Sequence, residues 1–285
     1  MPEDPTKTEI RIRAATSWWE VDWGGLRHYQ DLLWLMVRRD FVSKYKQTVL
    51  GPAWMVVQPL ATTLVFTIIF GRVAKLSTDG APAPLFYLAG LLGWNLFAGI
   101  LAGTGNVLQA NAGLFGKVYF PRLIVPLANT VSALIPFAIQ WVTFLVMLTW
   151  YGGAGAEAGS GWGWRLVLFP VCLLQILLTG LGVGLLLSAT TAVYRDLQHL
   201  QGFLIQIWMY LTPVIYPLSQ FPEEWRWIAH LNPLSVPVEG MRAALLGTGS
   251  PAGAAMAASW ALSAGLLFMG FVWFNRTEKN YIDRA

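Results

Sequence analysis

Apolar positions in this chain come in long runs, not in alternation with polar ones. No charged side chain occurs from Leu85 to Gly116, from Leu123 to Gly155, or from Leu166 to Tyr194. A helix needs roughly 20 consecutive apolar residues to cross a bilayer, and each run is longer than that. The pattern predicts an all-α membrane protein with six transmembrane helices, at about 50–71, 85–109, 123–151, 166–190, 200–217 and 254–275. The fifth is the shortest, and Pro213 and Pro217 interrupt its end.

Polar and apolar residues mix in two places. Ahead of the first span stands RRDFVSKYKQTVLGPAWMVVQP, residues 38–59. On a helical wheel Leu26, Tyr29, Leu32, Leu33, Met36, Val37 and Phe41 share one arc, and Arg27, His28, Asp31, Arg38 and Arg39 the other. That division predicts an amphipathic helix lying in the headgroup region. Gly51-Pro52 then breaks it, because a proline disfavours a helical residue before it. Trp54 sits where indole favours the interface. Arg38, Arg39, Tyr45, Gly51, Pro52 and Trp54 thus mark an interfacial elbow. The second place is 213–242, too broken to span. Pro222-Glu223-Glu224 opens a short helix with acid in its first turn, where the dipole favours it. Asn232-Pro233 ends it, and Pro237-Val238-Glu239 opens another. Two short re-entrant helices are predicted here as an external gate. Trp225, Trp227, Asn232, Pro233, Glu239 and Arg242 are its candidate residues, the last two spaced to pair.

Composition agrees with a membrane protein. The chain has 285 residues, 55% hydrophobic and 12% charged, against about 25% charged for a soluble domain. Mean hydropathy is +0.52. The first fifty residues lack the short apolar core and small-residue cleavage site of a cleavable signal peptide. Cys172 is the single cysteine, so an intrachain disulfide is impossible. Lys and Arg set the orientation. Of 19 in all, fourteen lie at the N-terminus, in the loop 110–122, at Arg195 and in the tail. Both termini are therefore expected in the cytoplasm. The organisation is a cytoplasmic N-terminal segment (1–49), a transmembrane domain (50–275) and a cytoplasmic tail (276–285). The pI near 9.3 reflects basic residues held at one membrane face rather than a nucleic-acid partner.

Chemistry narrows the function. Gly116-Lys117 is followed by Val118, and Asn111 stands where a phosphate-binding loop needs glycine, so that motif fails at both ends. His28, His199 and His230 lack metal-ligand spacing, and no metal site is expected. The middle of the spans has no Asp, Glu, Lys or Arg, which argues against coupling to an ion gradient and against a membrane enzyme. Aromatic rings are abundant and suit the C–H faces of sugars, so Phe97, Trp141 and Phe144 are candidates for a glycan path. Gly99–Gly103 and Gly180–Gly184 form small-residue faces for close helix packing, within or between chains.

Three stretches carry a resemblance: the elbow segment quoted above, LFGKVYFPRLIVP in the first cytoplasmic loop, and TPVIYPLSQFP followed by Asn232-Pro233 and Glu239…Arg242. Together the chain resembles the membrane subunit of an ABC-2 type transporter, in the branch exporting O-antigen, capsule and teichoic-acid polysaccharide. The resemblance implies a homodimer with two copies of a separate ATPase, which binds ATP and Mg and does the hydrolysis, so the chain is not itself an enzyme. It implies a lipid-linked polysaccharide substrate and a place among the lipids of the bacterial inner membrane. It also implies that Lys117, Tyr119, Phe120 and Arg122 form an ATPase-coupling loop, with Tyr194, Arg195 and Asp196 at the second cytoplasmic turn. An ABC-2 permease for a drug or small lipid is the alternative, and the elbow argues against it.

Overall fold

The structure is a computed structural model that describes residues 23–46, 48–151, 162–249 and 253–282. The expected N-terminal segment up to residue 22 and the end of the tail lie outside the described residues. Among those described, every regular element is helical. In chain order they are α1 (Trp23–His28), α2 (Gln30–Tyr45), α3 (Trp54–Phe66), α4 (Ala83–Thr104), α5 (Val107–Ala110), α6 (Ala112–Phe115), α7 (Ile124–Trp150), α8 (Trp162–Val193), α9 (Leu197–Leu211), α10 (Arg226–Leu231), α11 (Ser235–Leu246) and α12 (Gly253–Ile282). A short 3-10 turn, Gly51–Ala53, leads into α3, and a π-helical turn, Thr67–Val73, ends it.

Among the described residues, five stretches are long and apolar enough to cross a membrane: Gly51–Val73, Ala83–Thr104, Ile124–Trp150, Val167–Val193 and Gly253–Glu278. The fifth expected span, 200–217, does not form one helix long enough to cross. Its α9 has 15 residues, about 22 Å of rise against about 30 Å of hydrocarbon. The reason is local. Thr212 precedes Pro213 and takes an extended ψ of 140°, as the proline ring requires. The chain then continues buried through Thr212, Pro213, Val214 and Ile215.

The core forms around α4, which is apolar on every side. Leu85 to Leu92, Trp94, Leu96, Phe97, Ile100 and Leu101 are buried against α3, α7, α8, α9 and α11. Each buried Leu or Phe side chain contributes roughly 1.5–3 kcal/mol when removed from water. In lipid the same contacts stabilise mainly through close packing. The small-residue faces serve packing within the chain. Gly180 lies against Ile100, Gly184 against Thr104, and a Cβ on Gly182 would meet Leu267 Cα of α12 at 2.6 Å.

The helix ahead of the first span differs from the amphipathic pattern. Met36 and Val37 of α2 are buried with Val125 and Ala128 of α7, as the apolar arc predicts. Trp34 and Leu35, outside that arc, are each 62% exposed. Apolar side chains are therefore also left open outside that arc, Trp34 beside its edge and Leu35 among the polar residues. Between α2 and α3 the chain breaks at the Gly51–Ala53 turn. Gly51 has φ +52° with no atom near its missing Cβ, so backbone conformation rather than space calls for glycine there.

Candidate functional site

Two clusters form at opposite ends of the bundle. At one end the α4–α7 connection meets the α8–α9 turn and the end of α12. Thr191 Oγ1 donates to the Gly105 carbonyl at 3.1 Å, and the Leu108 amide to Ser188 Oγ at 3.1 Å. Phe274 of α12 packs with Leu108 and Leu185. Lys117, Arg122 and Arg195 lie on this end, whereas Asp40, Lys44 and Tyr45 at the far end of α2 lie beside Gly103, Asn129, Ser132 and Pro136, further along α4 and α7.

The expected coupling residues divide into a tip and an anchor. Lys117, Val118 and Tyr119 are exposed, Tyr119 at 64%. Val193, Tyr194, Arg195 and Asp196 form a second exposed tip on the same end. Phe120 is buried among Met36, Val37, Ile124 and Val125. Arg122 is only 8% exposed. Its Nε lies 3.5 Å from Glu278 Oε1, its Nη1 donates to the Glu278 carbonyl at 3.2 Å, and its guanidinium sits 5.1 Å from the Phe115 ring centre. Burial pulls the Arg122 pKa down, and Glu278 and Tyr119 oppose that. Tyr29 Oη donates to the Tyr119 carbonyl at 3.2 Å and ties the same loop to the start of α2. The sequence held no signal for the Glu278 contact, because the partners are 156 residues apart.

At the other end the broken segment is held by two side chains. Asn232 bridges: its Nδ2 donates to the Leu211 carbonyl at 3.2 Å and to Thr212 Oγ1 at 3.0 Å. Its Oδ1 accepts from Trp208 Nε1 at 3.0 Å and from the Leu234 amide at 3.1 Å. The Pro233 carbonyl accepts from Ser259 of α12 at 3.2 Å. Arg242 is completely buried. It pairs with Glu239 Oε2 at 3.0 Å and donates to the carbonyls of Pro213 at 2.8 Å and Val214 at 3.2 Å. Its guanidinium stacks 3.8 Å from the Phe86 ring centre, close over Gly90, where a Cβ would meet Nη2 at 2.8 Å. The chemistry explains the position. Backbone that leaves the helix inside a membrane protein frees carbonyls that need donors, and Arg242 supplies them where α9 stops short. Burial pushes the Glu239 carboxyl above its usual range, and Arg242 pulls it back. Trp225 and Trp227 are exposed on the outer edge. Asp79 joins from the α3–α4 loop, where its carboxylate accepts from Ser219 Oγ at 2.9 Å. With the partners 140 residues apart, this contact was not legible in the sequence.

Between the ends, Phe97 and Phe144 are completely buried in the core of a single chain. Phe97 packs edge-on to Trp208, and Trp141 is half-buried against Phe169. The structure favours packing for these rings. In an all-round apolar helix such as α4, the sequence does not distinguish a ring facing a path from one facing the core.

Comparison with known proteins follows the same segments. The chain is 31% identical over 199 residues to the O-antigen export system permease protein RfbA of Myxococcus xanthus, covering 70% of this chain and 73% of that one. It is 29% identical to an RfbA of Klebsiella pneumoniae, over 72% and 76% of the two chains. It is 22% identical to the polysialic acid transport protein KpsM of Escherichia coli, over 73% and 78%. Residues 31–246, from α2 to the end of α11, match the ABC-2 type transporter family. This range holds the elbow, both exposed tips and the Asn232 and Arg242 bridges, and the chain belongs to the ABC-2 type transporter membrane family.

Proposed function

We propose that the chain is the membrane permease of an ABC exporter that carries lipid-linked polysaccharide, O-antigen or a similar cell-surface glycan, from the cytoplasm to the outer side of the inner membrane. The observation that carries this reading is the run of similarity to permeases named for O-antigen and polysialic acid export, across about 70% of the chain. The relatives named for polysaccharide export do not favour the alternative, a permease for a drug or small lipid.

Two copies of the chain work with two copies of a separate ATPase, which holds ATP and Mg. The exposed stripe Leu200, Phe203, Leu204, Ile207 and Leu211 on α9 supports a second copy as its cover. Lys117 and Tyr119, with Tyr194, Arg195 and Asp196, meet the ATPase. Phe120 and Arg122 carry its movement into α2 and α12. Both termini face the cytoplasm. The chain crosses six times, with α9 and the extended Thr212–Ile215 segment together making the fifth crossing. Trp225, Trp227 and the bridges at Asn232 and Arg242 gate the outer end. The α2 helix lies at the headgroup level, where Trp34 and Leu35 reach the lipid.

The test is genetic and chemical. Deleting the gene is expected to remove the long-chain glycan from the cell surface and leave lipid-linked glycan inside, with a plasmid copy restoring export. Normal surface glycan in the deletion strain contradicts the proposal.

A further inference from the structure

A cleft of about 240 Å³ opens between α3, α4 and α7, lined by Trp54, Gln58, Thr62, Asn95 and Gln140 among others. Its lining has no charged side chain but is rich in groups that form hydrogen bonds, at the depth of three helices that cross the membrane. Asn95 Nδ2 donates to Gln140 Oε1 at 3.0 Å across the α4–α7 seam. That bond uses one end of each amide, and an acceptor on Asn95 and a donor on Gln140 remain. A smaller cleft of about 80 Å³ adjoins it, sharing Tyr45, Met55 and Pro136 and carrying the charged pair Asp40 and Lys44 at its α2 side. There Ser132 Oγ has no hydrogen-bond partner.

The backbone adds to this. Pro59 of α3 and Pro136 of α7 line the larger cleft. A proline has no N–H to close the helical bond to the carbonyl four residues earlier. Those carbonyls belong to Met55 and Ser132, and both residues line the smaller cleft. Two helices therefore each free one carbonyl at a residue that lines the same opening. A lipid tail gains nothing from amides and bare carbonyls, and leaving them unpaired away from water is costly. A ligand with several hydroxyls and no charge satisfies them, and the Trp54 ring at the edge offers a face for its C–H surface.

We propose that this cleft binds one sugar unit of an uncharged glycan on its way through the membrane. A volume of about 240 Å³ suits a single unit and not a folded polymer. Gln58, Asn95 and Gln140 contact the hydroxyls directly. The inference rests on the export function above and gives it a location: the polar face of α3 and α7, away from the buried rings Phe97 and Phe144.

The test separates binding from packing. Replacing both partners of a buried hydrogen bond with apolar groups of similar shape is close to neutral for stability. The double variant Asn95→Leu/Gln140→Met is therefore expected to reach the membrane at the wild-type level. Its export of glycan should still fall at least about tenfold, the effect of losing the two ligand hydrogen bonds of Asn95 and Gln140. Export equal to wild type at equal protein overturns the proposal. As a second measurement, a photoreactive residue at Thr62 should crosslink to glycan during export, and one at the exposed Met269 of α12 should not. Adducts at Thr62 to lipid alone, or to a second copy of the chain, overturn the proposal. If the wild-type gene fails to restore surface glycan, the export function and this inference fall together. If it restores export and the double variant does too, only the cleft assignment falls.

Discussion

Arg122 and Arg242 sit at opposite ends of the bundle, and each makes its contacts inside the chain. For Arg242 the sequence showed the i,i+3 spacing to Glu239, and the pair forms at 3.0 Å. It could not show the two carbonyls of Pro213 and Val214, because that need arises only where α9 ends early. Removing one partner of a buried pair leaves the other charge uncompensated, at about 3–5 kcal/mol. Arg242→Met is expected to lower the amount of folded protein sharply, and Glu239→Gln in addition should recover part of it. Thermal unfolding in detergent measures both; an unchanged midpoint for the single variant contradicts the assignment. For Arg122 the sequence placed a basic residue in a coupling loop, and the structure turns it inward onto Glu278. A hydrogen bond to a charged group is worth about 1.5–3 kcal/mol. Arg122→Ala and Glu278→Ala should each loosen the loop, and the double variant should lose less than the two summed. Strict additivity of the losses in unfolding free energy counts against the contact.

At the scale of elements, the long spans were legible because a charge-free run of more than 20 residues has few other solutions. The break after α2 was legible because Gly51-Pro52 dictates backbone geometry directly. Three features were not. The length of α9 depended on one pre-proline residue inside a run that otherwise reads as apolar. The open apolar side chains of α2, Trp34 and Leu35, are left unassigned by a wheel divided into two arcs. The depth of α11, buried from Ser235 to Ala243, comes from neighbours distant in sequence. Glycines make the same point. Gly99 and Gly182 look alike in sequence, yet a Cβ would lie 3.8 Å from Ala133 Cβ at Gly99 and 2.6 Å from Leu267 Cα at Gly182. Gly99→Ala is therefore expected to leave folded protein near wild type. Gly182→Val, which overpacks the α8–α12 seam, should cost about 1–3 kcal/mol or more. Size-exclusion yield after extraction reads the difference, and equal yields contradict the packing described.

At the scale of the whole molecule, the bundle separates a basic end with two exposed tips from an outer end whose broken backbone is held by Asn232 and Arg242. In the proposed arrangement the basic end faces the cytoplasm, as the positive-inside pattern leads one to expect. Cysteines introduced at Asn111 and at Glu224 should label from opposite sides of the membrane, and labelling of both from outside overturns the six-crossing arrangement. The central claim is that this chain moves glycan only when a separate ATPase drives it. Inverted membrane vesicles containing the chain, its ATPase and lipid-linked glycan test that most directly, with the glycan inside the vesicle measured by its protection from an added glycosidase. The account predicts protection that appears with ATP and Mg, and that is absent with the chain alone or with an ATPase unable to hydrolyse ATP. Protection without ATP, or hydrolysis of ATP with no protected glycan, would contradict it.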